Sequence, residues 1–184
     1  MTKEFLPLKG NYRNLIAYQK AECIYDITFY FAHHFLEKGD RTVDQMIQAA
    51  RSGKQNIAEG SAASTTSSET EIKLMNVAKA SLQELLLDYE DYLRVRDLVI
   101  WEVGDAKAKA ARLYCSRNND SARYRKAIQV RSAETIANIA ITLIHQEDVL
   151  LRNYITRIKA DFLRQGGVRE QMTRARIDYR NTHH

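Results

Sequence analysis

Amide side chains are concentrated on one side of residues 42–60, TVDQMIQAARSGKQNIAEG. Gln48, Arg51 and Gln55 are three and four residues apart, so at about 100° per residue they form one ridge on a helix. Solvent faces of helices are usually richer in Glu and Lys, whereas an amide both donates and accepts hydrogen bonds. The pattern favours an interface with a protein chain or a nucleic acid over the alternative, a plain hydrated surface. The interface candidates here are Gln48, Arg51, Lys54, Gln55, Asn56 and Glu59.

Basic residues are concentrated in the second part of the chain. Residues 1–104 hold 12 Lys and Arg against 15 Asp and Glu, a net charge of −3, whereas residues 105–184 hold 16 against 8, a net charge of +8. Such a surface can meet a polyanion, although a solvated helix surface with an Arg-rich tail explains the same counts. The candidate contacts in this part are Lys107, Lys109, Arg112, Arg117, Arg123, Arg125 and Lys126.

The sequence lacks the motifs of common catalytic and cofactor sites. No phosphate-binding glycine loop occurs, and no Glu-x-x-His or His-Glu-x-x-His pair is present for a metal. Glu84 and Asp88 lie one turn apart and could bind a divalent cation, but an exposed acidic face is the commoner explanation. His33 and His34 more simply favour the negative end of a helix dipole. We therefore expect a non-enzymatic protein without a metal or cofactor.

Composition limits the class of protein. With 184 residues, one proline and 45% hydrophobic residues, the chain is expected to form one helical domain with an appendage. No apolar run approaches the roughly 20 residues that span a bilayer, and the N-terminus lacks a signal-like apolar region. Cys23 and Cys115 are expected to be reduced thiols in or near the core. These features predict a cytoplasmic protein without membrane association.

Hydrophobic periodicity predicts an all-α protein, an antiparallel up-down four-helix bundle with an extra short helix and a C-terminal extension. Apolar residues recur at alternating spacings of three and four, and short polar connections separate the segments. Asn14 is the expected first cap, Asp40 or Thr42 the second, and Ser67 or Ser68 the third. The expected helices cover about 14–38, 42–60, 69–98 and 122–164, with a lead-in at 1–13, an insertion at 100–120 that holds a short basic helix, and a basic tail at 166–184.

Glycine at positions 53 and 60 falls on the apolar arc of the second predicted helix. A glycine inside a helix costs about 1 kcal/mol relative to alanine, a cost usually offset by close approach of another element. The arc therefore predicts tight packing at Gly53 and Gly60.

Two stretches carry a family resemblance. DRTVDQMIQAARSGKQNIAEG and ETEIKLMNVAKASLQELLLDYEDYL, with Q-x-x-Q-A-A-R-S and N-I-A-E-G in order, resemble the four-helix-bundle family named after the intervening-sequence protein of 23S ribosomal RNA. This resemblance covers roughly residues 12–98. Residues 128–177 resemble the suffix region of a longer subgroup, and the chain is distantly similar to accessory proteins of diversity-generating retroelements.

The resemblance implies an antiparallel bundle that assembles as a symmetric homo-oligomer, with a pentamer favoured. The retroelement accessory proteins form basic pentameric barrels that bind nucleic acid and a reverse transcriptase. We therefore expect a cytoplasmic, non-enzymatic homo-oligomer that binds RNA or DNA through its basic surface. The alternative is a protein–protein scaffold in which the amide-rich ridge is buried against a neighbouring subunit.

Overall fold

The computed structural model describes residues 11–182, which are helical over most of their length. A 3-10 turn at Tyr12–Asn14 is followed by α1 (Ile16–Phe35), α2 (Arg41–Ala63), α3 (Ser68–Arg94), α4 (Ala106–Arg117), α5 (Ser121–Ile128), α6 (Ala133–Gln165) and α7 (Val168–Thr182). Residues 11–182 contain no β-strand. The all-α prediction is confirmed. The predicted lead-in falls mostly on residues 1–10, which lie outside the described part.

Side-chain caps fix where three of the long helices begin. The Asp40 carboxylate accepts a hydrogen bond from Thr42 N at 2.8 Å, and this bond is the main reason that the pKa of Asp40 is lowered. Ser67 Oγ accepts from Thr70 N at 3.1 Å, and Ser132 Oγ accepts from Thr135 N at 3.2 Å. Each cap satisfies a backbone donor that has no partner within the helix. Asp40 and Ser67 were among the expected caps.

The first predicted cap is wrong. Asn14 belongs to the 3-10 turn, and Leu15 precedes α1 without any side-chain capping bond.

The four longest helices pack around a core to which α4 and α5 also contribute, through Cys115, Tyr124 and Ile128. α1 packs on α2, α2 on α3, α3 on α6, and α6 on α1. Phe31 of α1 meets two rings of α3 near the centre, Tyr89 at 5.0 Å and Tyr92 at 4.7 Å between centroids. The fully buried Tyr89 hydroxyl donates to Thr28 Oγ1 at 3.0 Å, so its polar group does not remain unpaired. The chain therefore forms a helical bundle.

Contacts between α3 and α6 give their relative direction. Tyr154 donates to Glu71 Oε1 at 2.8 Å, and Lys79 lies 3.6 Å from Asp148. Because residues that come later in α3 meet residues that come earlier in α6, the two helices are antiparallel.

Gly53 allows α2 and α3 to approach closely. A Cβ at this position would lie 2.7 Å from Cδ2 of Leu82, which is buried. Beside it, Ser52 Oγ and Ser81 Oγ are 2.9 Å apart and share a hydrogen bond. Gly60 is also tight, since a Cβ there would lie 3.0 Å from the terminal methyl of Met75. The close packing predicted for both glycines is confirmed.

The helix predicted over 122–164 is two helices. α5 ends at Ile128, residues 129–132 are non-helical, and Ser132 caps a new start at Ala133. α5 packs on α1, whereas α6 packs on α3, α1 and α4, so the chain must change direction between them.

Smaller differences concern the ends of the other elements. α1 stops at Phe35, three residues earlier than expected, and α2 continues to Ala63. α3 ends at Arg94, and Asp97 then adopts a positive φ of 54°. The predicted tail contains α7, which is separated from α6 by a bend where Gly166 has a φ of +74°. No helix within residues 11–182 is long and apolar enough to cross a membrane.

Candidate nucleic-acid interface

The predicted ridge of α2 divides into an outward part and a packing part. Gln48, Arg51 and Glu59 are exposed, and Arg51 has no ion-pair partner among residues 11–182. Asn56 is half-buried, and its Nδ2 donates to Ser52 O at 2.9 Å and to Ser52 Oγ at 3.2 Å. Because Ser52 is bonded to α3, the amide of Asn56 supports the α2–α3 contact and is not free to bind a ligand. Gln55 is half-buried between these two parts.

The Lys54 side chain lies against α1 and is not part of the outward ridge. Its Nζ lies 4.3 Å from the ring centroid of Tyr25, which is a cation–π distance. α1 is antiparallel to α2, so Arg51, one turn before Lys54, lies toward the end of α1 that carries Phe29. Lys54 therefore contacts α1, and Arg51 is exposed one turn earlier on α2.

A third cation reaches α1 from the other side. Arg125 of α5 lies 2.5 Å from Asp26 Oδ2 and donates to Ser121 Oγ at 3.1 Å. This contact fixes α5 on α1 and compensates the Asp26 charge. Lys126 beside it is exposed and has no carboxylate partner within residues 11–182. Arg123 is held within its own segment, by Asn118 Oδ1 at 3.0 Å and Asp120 Oδ2 at 3.7 Å.

The candidates on α4 have different surroundings. Arg112 is structural, because its Nη2 donates to Val103 O at 2.7 Å and its carbonyl accepts from Gln146 Nε2 at 3.0 Å. The other three are exposed and make no ion pair with a described residue: Lys107, Lys109 and Arg117. Lys107 borders a hollow of about 460 Å³ together with Trp101, Tyr114 and Arg131.

Between the cations of α2 and α5, α1 presents an aromatic face, which we define as Tyr25, Phe29, Tyr30, His33 and His34. Phe29 is 49% exposed, and its ring centroid lies 4.3 Å from that of His33. Tyr30 and His34 are stacked at 3.8 Å with an interplanar angle of 19°. The sequence analysis did not identify this face. The sequence did contain a pattern that indicates this face, because aromatic and histidine rings recur every four residues outside the apolar stripe of α1.

The two histidines also bond to the backbone of α1. His33 Nδ1 lies 2.8 Å from Phe29 O and His34 Nδ1 lies 2.8 Å from Tyr30 O, so each nitrogen donates to a carbonyl one turn earlier. This agrees with the expectation that both side chains favour the negative end of the helix. The bonds also hold the imidazole rings against Phe29 and Tyr30.

The opposite side of α2 is acidic. A groove between α2 and α3, the α2–α3 groove, has a volume of about 560 Å³ and is lined by Asp44, Gln45, Gln48, Ala49, Ser52, Ser81, Glu84 and Asp88. Burial is the first cause that raises the pKa of Asp88, followed by the charges of Asp91 and Glu84. No group of three potential metal ligands is found among residues 11–182. Carboxylates repel phosphates, so this groove disfavours a polyanion next to Gln48.

α7 adds basic residues that the sequence reasoning did not single out. Arg169, Arg176 and Arg180 are exposed and lie seven and four residues apart, which puts them on one side of the helix. Their signal was this spacing within the basic tail. No residue of α7 is buried.

Lys20 and Glu147 are buried in the core, away from the cationic surface. Lys20 donates to Cys115 O at 2.8 Å and to Gln146 Oε1 at 3.2 Å, and burial lowers its pKa. Burial also raises the pKa of Glu147 well above its usual range, although the Lys20 charge opposes this. Neither carboxyl oxygen of Glu147 has a hydrogen-bond partner among the described residues.

The thiols are buried as well. Cys23 and Cys115 are free, as expected, and burial raises the pKa of Cys23 to about 12. A thiol that remains protonated is a poor nucleophile.

Comparison of the sequence with models of protein families, with curated proteins and with solved structures finds no match in any of the three. The chain itself defines an all-α helical bundle whose α1 face lies between cations from α2 and α5.

Proposed function

We propose that this protein is a non-enzymatic, homo-oligomeric helical bundle that binds RNA or DNA through its basic surface. The observation that supports this most directly is the position of Lys54 and Arg125, which meet α1 at Tyr25 and Asp26 from two different helices. Arg51 and Lys126 are further exposed cations on the same two helices, without carboxylate partners among residues 11–182. Separate elements thus bring cations to α1, although Asp26 compensates the charge of Arg125, and such cations can position a phosphate backbone.

The resemblance to the intervening-sequence family supports the same proposal. We infer that α1, α2, α3 and α6 form the up-down four-helix bundle of that family, and that α4, α5 and α7 are additions to it. The family likeness and the distant similarity to retroelement accessory proteins favour a pentamer. Exposed apolar side chains at the far end of the molecule favour assembly too, namely Phe162, Leu163, Met172 and Ile177.

Electrophoretic mobility shifts of the full chain with structured RNA and with duplex DNA test nucleic-acid binding. We expect binding at about 50 mM salt that weakens steeply by about 200 mM, because each phosphate contact releases counterions. Binding is expected to show little sequence preference, since phosphates carry no sequence information. Absence of a shift at low salt for both probes would refute nucleic-acid binding.

The competing function is a protein–protein scaffold. Exposed apolar residues on α6 and α7 favour it, because no residue of α7 is buried and part of the apolar side of this helix remains exposed. In that case the ridge of α2 contacts a neighbouring subunit.

Light scattering of Arg51→Ala and Gln55→Ala separates the two functions. The wild type is expected to have the mass of five 21.2-kDa chains. Lost assembly would place the ridge in the subunit interface. Intact assembly with weakened nucleic-acid binding would place the ridge on a nucleic-acid surface.

A further inference from the structure

The aromatic face of α1 points to the form of nucleic acid that the surface takes. It borders a hollow of about 410 Å³ whose other wall is α5, with Arg125 and Gln129 at its edge. Phe29 is half-exposed, and its ring stacks only with neighbours of its own helix, Tyr25 at 6.3 Å and His33 at 4.3 Å between centroids. Because about half of the Phe29 side chain is exposed, a flat ligand can reach its ring.

The stacked rings are held in place. The Nδ1 atoms of His33 and His34 are bonded to backbone carbonyls, and the two imidazoles lie against Phe29 and Tyr30. Rings fixed in this way lose little conformational freedom when a ligand stacks on them. The face is therefore preorganised for planar groups.

The charges around the face suit an anionic chain that carries planar groups. Lys54 stands over Tyr25 on one edge, and Arg125 lies at the other. Two carboxylates of α1 are also near, Asp26 in its ion pair with Arg125 and Glu22 one turn earlier. The α2 edge keeps Lys54 and Arg51 without carboxylate partners among the described residues, so phosphates have two cations there.

We propose that the aromatic face of α1 stacks unpaired bases, and that the surface consequently prefers single-stranded to double-stranded nucleic acid. The proposal rests on the nucleic-acid function proposed above. In a duplex the faces of the bases are stacked on each other, so only a single strand can place them on Phe29 or Tyr30. Phosphates of that strand contact Arg51 and Lys54. The ribose makes no part of this contact, so RNA and DNA strands are both accepted.

Fluorescence anisotropy with the full chain tests the preference. The probes are labelled 20-nucleotide rU and dT strands and a 20-base-pair DNA duplex, at about 100 mM salt. The wild type is expected to bind both single strands more tightly than the duplex, although the duplex carries more charge. Phe29→Ala should weaken single-strand binding by about 5- to 100-fold, the range for loss of one stacked base, and should leave duplex binding unchanged.

Two further variants serve as controls. Leu87→Ala removes a 60% exposed apolar side chain from α3, away from the face, and should leave all three affinities unchanged. Phe29→Trp keeps a stacking ring and should retain single-strand binding. Thermal unfolding and light scattering of each variant report whether fold and assembly are intact.

Three outcomes would overturn the proposal in different ways. Equal affinity for strands and duplex, with no effect of Phe29→Ala, would refute base stacking and leave the general nucleic-acid function standing. Loss of assembly in Phe29→Ala would place the face in a subunit contact. Absence of binding to any probe at low salt would refute both the stacking and the nucleic-acid function.

Discussion

The two sides of α2 differ in charge and in packing. Toward α1, α2 carries Lys54 against Tyr25, and Arg51 one turn earlier is exposed. Toward α3, the backbone at Gly53 approaches Leu82 closely, and the α2–α3 groove alongside is lined by carboxylates. One helix therefore separates a cationic surface from an anionic one.

This difference shows how a chain with more acidic than basic residues in its first 104 positions can still present exposed cations on one side of a helix. Net charge over a long segment averages the two sides of a helix. A ligand meets only one side, and within a screening length of about 10 Å it responds to local charges. The polar arc found in the sequence is thus two surfaces, and only the one that continues onto α1 suits phosphates.

Removing the charge contrast is expected to have the largest effect. The double variant Arg51→Glu and Lys54→Glu replaces both cations at the α1 edge with carboxylates. Single-strand binding at about 0.1 M salt should weaken roughly 10- to 100-fold, and the neutral pair Arg51→Gln and Lys54→Gln should lower the salt-dependence exponent by about 1.4, since each single-strand contact contributes about 0.7. Anisotropy titrations across salt concentrations measure both.

The matched control is on the other side of α2. Glu84→Gln removes one charge from the α2–α3 groove, where no phosphate is expected, and should leave affinity unchanged or slightly higher. Weaker binding in Glu84→Gln, with unaltered binding in the double variant, would reverse the assignment of the two sides.

A variant that disturbs the close packing of α2 on α3 is expected to have an intermediate effect, on the free energy of unfolding. Gly53→Ala adds a methyl group 2.7 Å from the buried Leu82 side chain. Overpacking costs about 1–3 kcal/mol, and alanine returns about 1 kcal/mol of helix propensity, so a net loss of up to about 2 kcal/mol is expected. Urea unfolding followed by circular dichroism measures the free energy of unfolding. Gly104→Ala, which meets nothing within 4 Å, is the control, and an equal response of the two variants would argue against a close α2–α3 contact.

The smallest expected effect is the pH response of the α2–α3 groove. The pKa of Asp88 is raised in the folded protein, so its ionised form is less favourable there than in the unfolded chain, whose reference pKa is 3.8. Stability from this group is complete below that pH and is lost as the pH rises through the folded pKa. Asp88→Asn should therefore stabilise the protein slightly at pH 7, by less than about 1 kcal/mol because solvent screens the site.

The same variant should show no advantage at about pH 3. Thermal unfolding of wild type and Asp88→Asn between pH 3 and 7 measures the difference, with Asp44→Asn as the control in the same groove. A stability gain that persists unchanged at pH 3 would show that loss of charge is not its cause.

Local signals in the sequence predicted much of the helical framework, because caps and periodicity act over a few residues. Asp40 and Ser67 cap as their types suggest, and Gly53 marks the close helix contact. The break after α5 was missed because Ile128 and Ile136 keep the helical period across it and are both buried. Hydrophobic periodicity cannot reveal a break between two helices when the apolar residues on either side of it keep a helical spacing.

The site was predicted less completely, because its members come from elements distant in sequence. Lys54 and Arg125 were both named, but their meeting on α1 depends on how α2 and α5 pack. Asn56 was assigned outward, whereas it supports the contact with α3. Glu147 had a signal that was not used, since it stands midway between Leu143 and Leu151 on the apolar stripe of α6.

The exposure of α7 links its conformation to protein concentration. A helix of about 15 residues is marginal in water by itself, and the described part of the chain buries no residue of α7. If neighbouring subunits cover its apolar side, dilution below the assembly threshold should melt α7 while α1, α2, α3 and α6 stay folded. Amide hydrogen exchange over residues 168–182 would then accelerate on dilution. The exchange rate of α7 would therefore report how much of the protein is assembled.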